Sequence, residues 1–269
     1  MNNKDTESVR KVAEKLLKNI IISKLPLPKK YKKLIAFTLA EVLITLLIIG
    51  VIASLVIPAL INDTQKAEYV TTLKKESAVL QQAFKLLALD AGGTILNNPN
   101  FNCSGSLCGT TISANAMNDF ATKINVVKNC GNGQGCWYTL PRKYLGGDIA
   151  NQNFDSNYDG KLGKAILADG TMMLVYINNL NCTDNTSYGS PPVSSPLYHS
   201  ICGEIGIDVN GAKGPNQVGR DFFGFYITKT GIYPHGTYND GRSCDIGSSS
   251  FSTSDGCTAK VLSDGAMNY

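Results

Sequence analysis

The sequence predicts an α+β fold in which a long N-terminal helix packs on a small antiparallel sheet with disulfide-closed loops. Three observations predict it. Residues 37–61 form an apolar run with one charge, Glu41. The chain then turns polar but keeps helical periodicity to about Ala91. The remainder alternates short apolar runs with Gly, Asn, Asp and Ser turns, and it holds all eight cysteines. A chain of 269 residues is long enough for one such long element and one modest globular domain.

Charge separates the first segment from the rest. The net charge is +4, yet residues 1–36 carry ten Lys and Arg against three Asp and Glu, or +7, which leaves −3 for residues 37–269. A mildly acidic outer part has no phosphate-binding field, and no basic, aromatic-lined groove is evident, so no nucleic-acid partner is expected. Lys29, Lys30, Lys32 and Lys33 stand just before the apolar run and orient the N-terminus toward the cytoplasm. The cysteines then fall outside, where disulfides form.

The 25 residues of the apolar run span about 37 Å as a helix, enough for a hydrocarbon core of ~30 Å. That is too long for a secretory signal core, although Ala53-Ser54 imitates a cleavage site. Glu41 near the start of the run is costly in a membrane and implies a partner. A cut between Ala36 and Phe37 would supply one, an α-amine about one helical turn away on the same or a neighbouring chain. The other reading is a plain signal anchor whose acid reaches toward water. Pro58 removes a backbone donor within the run and predicts a kink.

From residue 62 the stripe Val70, Leu73, Ser77, Leu80, Phe84, Leu87 and Ala91 reads as buried, while Lys66, Glu68, Lys74, Lys75, Glu76, Gln81 and Lys85 fall elsewhere. Gly92-Gly93 ends the helix. Strands are predicted at 124–127, 137–140, 164–168, 171–177, 204–209, 222–228 and 258–262, with a hairpin turning at Asp169-Gly170. In 204–209, Ile205, Ile207 and Val209 alternate with Glu204, Gly206 and Asp208, so one face is expected to be wet. Stretches 97–109, 181–196 and 242–256 read as cysteine-held loops. Among roughly 105 connectivities, the sequence-local one pairs Cys103 with Cys108, Cys130 with Cys136, Cys182 with Cys202 and Cys244 with Cys257.

Two stretches carry oxygen ligands. Asp155, Asn157 and Asp159, followed by Gly160 and with Leu162 in the apolar place, match the opening of an EF-hand loop. The twelfth position is Ile166 where a bidentate Glu is needed, which excludes a full EF-hand and leaves a Ca2+ turn or a plain turn. Asp208, Asn210 and Asp221 surround a Gly-rich excursion and offer a second candidate Ca2+ set, against a strand-turn-strand in which Asp221 caps the turn. No cofactor is otherwise called for. The two histidines, His199 and His235, read as surface or turn residues, and no G-x-S-x-G, H-E-x-x-H or phosphate loop is present, so no enzyme is expected. Trp137, Tyr138, Tyr226 and Tyr233 read mainly as core.

The Lys-rich leader, a small residue, Phe37-Thr38-Leu39-Ala40-Glu41 and an apolar helix with Pro58 resemble the cleavage and methylation motif of type IV prepilins and type II secretion pseudopilins, specifically over residues 32–61. The resemblance implies a pilin-like fold and a division into a cytoplasmic leader, 1–36, that is removed, an assembly helix, 37–61, its amphipathic continuation, 62–93, and an outer domain, 94–269. It implies that a prepilin peptidase cuts after Ala36 and methylates Phe37, and that Glu41 guides assembly. The usual residue before the cut is Gly rather than Ala36, and the leader is long. Stretches similar to 208–225 recur in pseudopilin-like proteins, some of which hold Ca2+ at a different motif. The implied role is a structural subunit of a secretion pseudopilus or surface pilus. It would serve secretion, adhesion or motility, with other pilins or pseudopilins and an inner-membrane assembly platform as partners. The implied location is the bacterial inner membrane, then a periplasmic or extracellular filament. A membrane-anchored or minor-pilin binding module for adhesion or DNA uptake is the alternative.

Overall fold

Helix α1, Leu39–Asp90, runs for 52 residues and contains Pro58. The computed structural model describes residues 38–101, 111–139, 141–150, 153–156, 161–179, 182–183 and 191–269. It comprises two units, Met1–Val56 and Ile57–Tyr269. In the first, the described residues from Leu39 onward are helical, and their large apolar side chains are exposed. This stretch is long and apolar enough to cross a membrane by length and composition.

In the second unit α1 becomes amphipathic for a packing reason. Tyr69, Val70, Leu73, Leu80, Ala83, Phe84 and Leu87 are buried in the main core. Glu76, expected off the stripe, is 1 % exposed. It lies three residues after Leu73 and four before Leu80, on the buried line itself. Lys75 reaches Glu76 at 3.1 Å and Asp169 at 2.6 Å. The helix ends where expected. Gly93 N–H donates to Ala88 O and Gly92 N–H to Leu89 O, and both glycines have positive φ, the arrangement that satisfies the last carbonyls of a helix.

A 3-10 turn, Ile95–Asn97, and helix α2, Ile112–Ala121, follow. The strands are β1 Val126–Gly131, β2 Arg142–Lys143, β3 Ile149–Ala150, β4 Gly163–Leu167, β5 Met172–Ile177, β6 Ile201–Asp208, β7 Phe222–Thr228 and β8 Ile232–Pro234. Six of them form an antiparallel sheet in the order β1-β4-β5-β6-β7-β8, and β2 pairs with β3. Helices α3, Phe251–Asp255, and α4, Cys257–Asp264, close the chain. Disulfides join Cys130 to Cys136, Cys182 to Cys202 and Cys244 to Cys257, the sequence-local pairs. The Cys103 and Cys108 pair lies outside the described residues.

Side-chain alternation divides the sheet into two faces. Met173, Val175, Ile205, Ile207, Phe223 and Phe225 enter the main core with α1 and α2. Met172, Leu174 and Phe222 enter a second cluster with Trp137, Tyr138 and Phe154. Three expectations fail here. The β6 face carrying Glu204, Gly206 and Asp208 is largely covered, with Gly206 and Asp208 buried and Glu204 half-buried, because the segment after β1 and the residues leading into β7 pack over it. Residues 137–139 form no strand; Trp137 and Tyr138 are plugs for that second cluster. Residues 258–262 are helical, since Cys257, Thr258 and Val261 are buried at helical spacing between Gly256 and Gly265.

Candidate functional site

The head of α1 is organised by four residues in sequence, Thr38 to Glu41. Thr38 N–H and its hydroxyl each donate to Glu41 Oε2 at 2.8 Å, and Glu41 N–H donates back to Thr38 Oγ1 at 3.2 Å. This is a capping box, T-x-x-E, in which the side chains satisfy donors that a helix start leaves open. The other hydroxyls of the run behave alike. Thr45 donates to Val42 O at 2.9 Å and Ser54 to Val51 O at 2.8 Å. Each polar side chain among residues 38–61 is therefore hydrogen-bonded within its own helix, as an apolar setting requires. Ala36 and Phe37, the expected cleavage and methylation residues, lie outside the described residues. Pro58 lies inside α1 and contributes no N–H to its ladder.

The two candidate cation sets separate. Asp155 accepts from Gly135 N–H at 2.9 Å and Trp137 N–H at 3.2 Å, and Lys164 Nζ stands 3.6 Å away. It anchors the segment that carries Trp137 into the second cluster. Asn157 and Asp159 lie outside the described residues. Asp208, Asn210 and Asp221 do come together at the loop between β6 and β7. Asp221 accepts from Asn216 N–H at 2.7 Å and Gln217 N–H at 2.5 Å, so it caps the turn as the plainer reading expected. Burial pushes the Asp221 carboxyl up to about 6 against the pull of those amides. Asp208 is also pushed up, by burial and by the neighbouring Asp221 charge. Among the described residues no group of three or more His, Cys, Asp or Glu is assembled for a metal.

A third cluster escaped sequence reasoning. His235 is the turn residue expected, directly after β8, but it is buried at 2 % exposure rather than on the surface, and its Nδ1 lies 2.5 Å from Asp255 Oδ2. Arg242 donates to Asp255 Oδ2 at 2.6 Å, to the Tyr226 hydroxyl at 2.7 Å and to Glu204 Oε1 at 2.9 Å. Burial raises the Asp255 carboxyl, but His235 and Arg242 outweigh it and hold the group below the usual carboxylate range. Gly224 makes the room, since a Cβ there would strike His235 and Asp255. The arrangement ties β6, β7, β8 and α3 together. An Asp-His pair can serve a nucleophile, but here His235 Nε2 is buried with no hydrogen-bond partner among the described residues. The available signal was Gly224 inside an otherwise bulky strand, a mark of close approach.

Comparison with protein-family models, curated proteins and solved structures found no match.

Proposed function

We propose that this chain is a structural, pilin-like subunit, processed by a prepilin peptidase before Phe37 and assembled through its apolar helix into a type II secretion pseudopilus or type IV pilus. The observation that carries the reading is the head of α1, where a carboxylate is fixed at Thr38 N–H at the start of an uncovered apolar helix. Cleavage would place a new amine one residue away, at Phe37. Glu41 uses Oε2 for the cap, and a carboxylate has further acceptor sites for a cationic amine. A neighbouring subunit's amine would be selected at one axial register, since an unpaired charge among apolar helices is expensive. The outer unit supplies mechanical closure through its sheet and disulfides. The role requires no cofactor, and the partners are copies of itself or related subunits, the peptidase and the inner-membrane platform.

The test is the N-terminal mass of the membrane-extracted chain from cells with and without prepilin peptidase. A methylated Phe37 start that depends on the peptidase is the expected result, and Glu41→Ala should then be processed but fail to enter filaments. An N-terminus unchanged by the peptidase would overturn the proposal and leave a signal anchor whose acid serves only as a helix cap.

A further inference from the structure

We propose that Lys164 and Asp155 are joined by an amide bond between their side chains, Lys164 Nζ to Asp155 Cγ, formed with loss of one water. This is independent of the filament reading.

Lys164 occupies a place where a lysine is costly. It lies on β4, an inner strand of the sheet, paired with Gly131 of β1 on one side and Leu174 of β5 on the other. Cross-strand partners share a face, so its side chain enters the second cluster beside Leu174. That side chain is 3 % exposed and the side chain of Asp155 7 %. Burying two opposite charges costs more than their attraction returns unless the pair is closely hydrogen-bonded. This pair is not. Where Lys75 meets Asp169 and Lys260 meets Asp264 the charges touch, at 2.6 and 2.8 Å, and both lysines are about half exposed. Lys164 Nζ stays 3.6 Å from Asp155 Oδ1 and donates instead to two backbone carbonyls, Asp155 O at 2.6 Å and Phe154 O at 3.2 Å.

The carboxyl group is held from its other side. Oδ1 accepts from Gly135 N–H at 2.9 Å and Trp137 N–H at 3.2 Å, and Oδ2 from Gly135 N–H alone at 3.0 Å. Two backbone amides on one oxygen are the donors that steady the negative charge gained there when an amine attacks the attached carbon. The carbonyls that fix Nζ keep it beside that carbon, and groups so held react as if at very high concentration. Trp137, Phe154 and Leu162, all buried, wall the pair. A cavity of about 280 Å3 lined by Asn132, Gln134, Phe154, Leu162, Asp155 and Lys164 gives the departing water a way out.

The step balances within the pair. An ammonium brings three protons and a carboxylate two oxygens. One proton stays on the amide nitrogen, two leave with Oδ2 as water, the Cγ–Oδ2 bond breaks as the Cγ–Nζ bond forms, and the two charges cancel. No oxidant, reductant or activating reagent enters. In the product Oδ1 keeps both backbone donors and the new N–H keeps Asp155 O, so the buried polar atoms of the pair stay hydrogen-bonded. The bond closes residues 155–164 into a ring and fastens Asp155, with the Trp137 segment it anchors, to β4.

The test is a tryptic map of the full chain, extracted in detergent and reduced, which keeps the state of the N-terminus out of the comparison. Trypsin cuts after Lys143, Lys161, Lys164 and Lys213, but not after a lysine whose amine has become an amide. Expected are peptides 144–161 and 162–213 joined, with a mass one water below their sum. In Lys164→Met the two should separate, each at its full mass. A wild-type cut after Lys164 with 144–161 at full mass would overturn the proposal. So would a one-water loss confined to 144–161 in both chains, the mark of a succinimide at Asp159-Gly160. Should Lys164→Met fail to fold, the wild-type map decides alone: fragment ions that place the joint at Asp155 and Lys164 support the bond, and a joint at any other pair sinks it.

Discussion

Glu41 and Glu76 sit on the same helix and meet the same difficulty in different ways. Each is an acid on an apolar line. Glu41 belongs to a unit whose described apolar side chains are uncovered, and its charge is taken up locally by Thr38, three residues away. Glu76 belongs to the unit whose sheet covers the helix, and its relief comes from Lys75 at 3.1 Å, with Oε2 left without a partner among the described residues. Burial pushes the Glu76 carboxyl up against the pull of Lys75. The difference teaches what each half of α1 is for. Among the described residues nothing covers the large apolar side chains of the first half; the second is part of a folded core and tolerates an acid only at some cost.

That comparison can be broken most forcefully away from the helix. Arg242→Ala removes the cation that Asp255 and Glu204 share, leaving the fully buried Asp255 carboxylate to His235 alone, and should cost about 3–5 kcal/mol in chemical denaturation. A loss below about 1 kcal/mol would mean that the second unit does not depend on this network. Next, Leu80→Ala should cost about 2–5 kcal/mol, whereas Leu47→Ala, 68 % exposed, should leave the thermal transition of the second unit within about 0.5 kcal/mol. Equal effects from the two leucines would erase the contrast between the halves.

A pH series sharpens the contrast further. The Asp221 carboxyl is raised to about 6 by burial, above its ordinary value near ~3.9. The folded state then binds the proton more tightly, so this group's stabilisation is present below about pH 4 and is lost as pH rises through about 6. Asp208 pushes in the same direction. In chelator, Tm should fall between pH 4 and 6.5 by more in the wild type than in Asp221→Asn; the reverse slope would deny the paired-carboxylate environment. Asp255 acts oppositely, its stability present above the ordinary carboxylate range and lost only in stronger acid. The smallest effect is at the helix head. Thr38→Val should loosen the cap by roughly 1 kcal/mol, seen as a several-fold faster amide exchange confined to the first turn of α1.

Much of the helix was legible because its signals are local. Leu73, Leu80, Phe84 and Leu87 repeat at helical spacing, and Gly92-Gly93 stop the helix where the periodicity ends. The hairpin at Asp169-Gly170 and strand 222–228 were legible for the same reason, a turn signal beside a run of β-formers. The capping box was equally local and was missed only because Glu41 invited a longer-range explanation. Residues 258–262 misled because a five-residue apolar run is ambiguous between strand and helix until neighbours decide which side is buried.

By itself the sequence determined the length of the stem, its apolar and amphipathic halves, the acid at its head and the α+β division of the chain, since each follows from residue order over a few turns. Tertiary structure alone decided that both faces of β6 are largely covered and that His235, Arg242 and Asp255 meet. It also decided that Glu76, on the charged side of the helix by sequence, is buried. Asp255 lies 20 residues from His235 and 13 from Arg242 in the chain, and burial is a property of what folds over a residue. No spacing along the sequence encodes that.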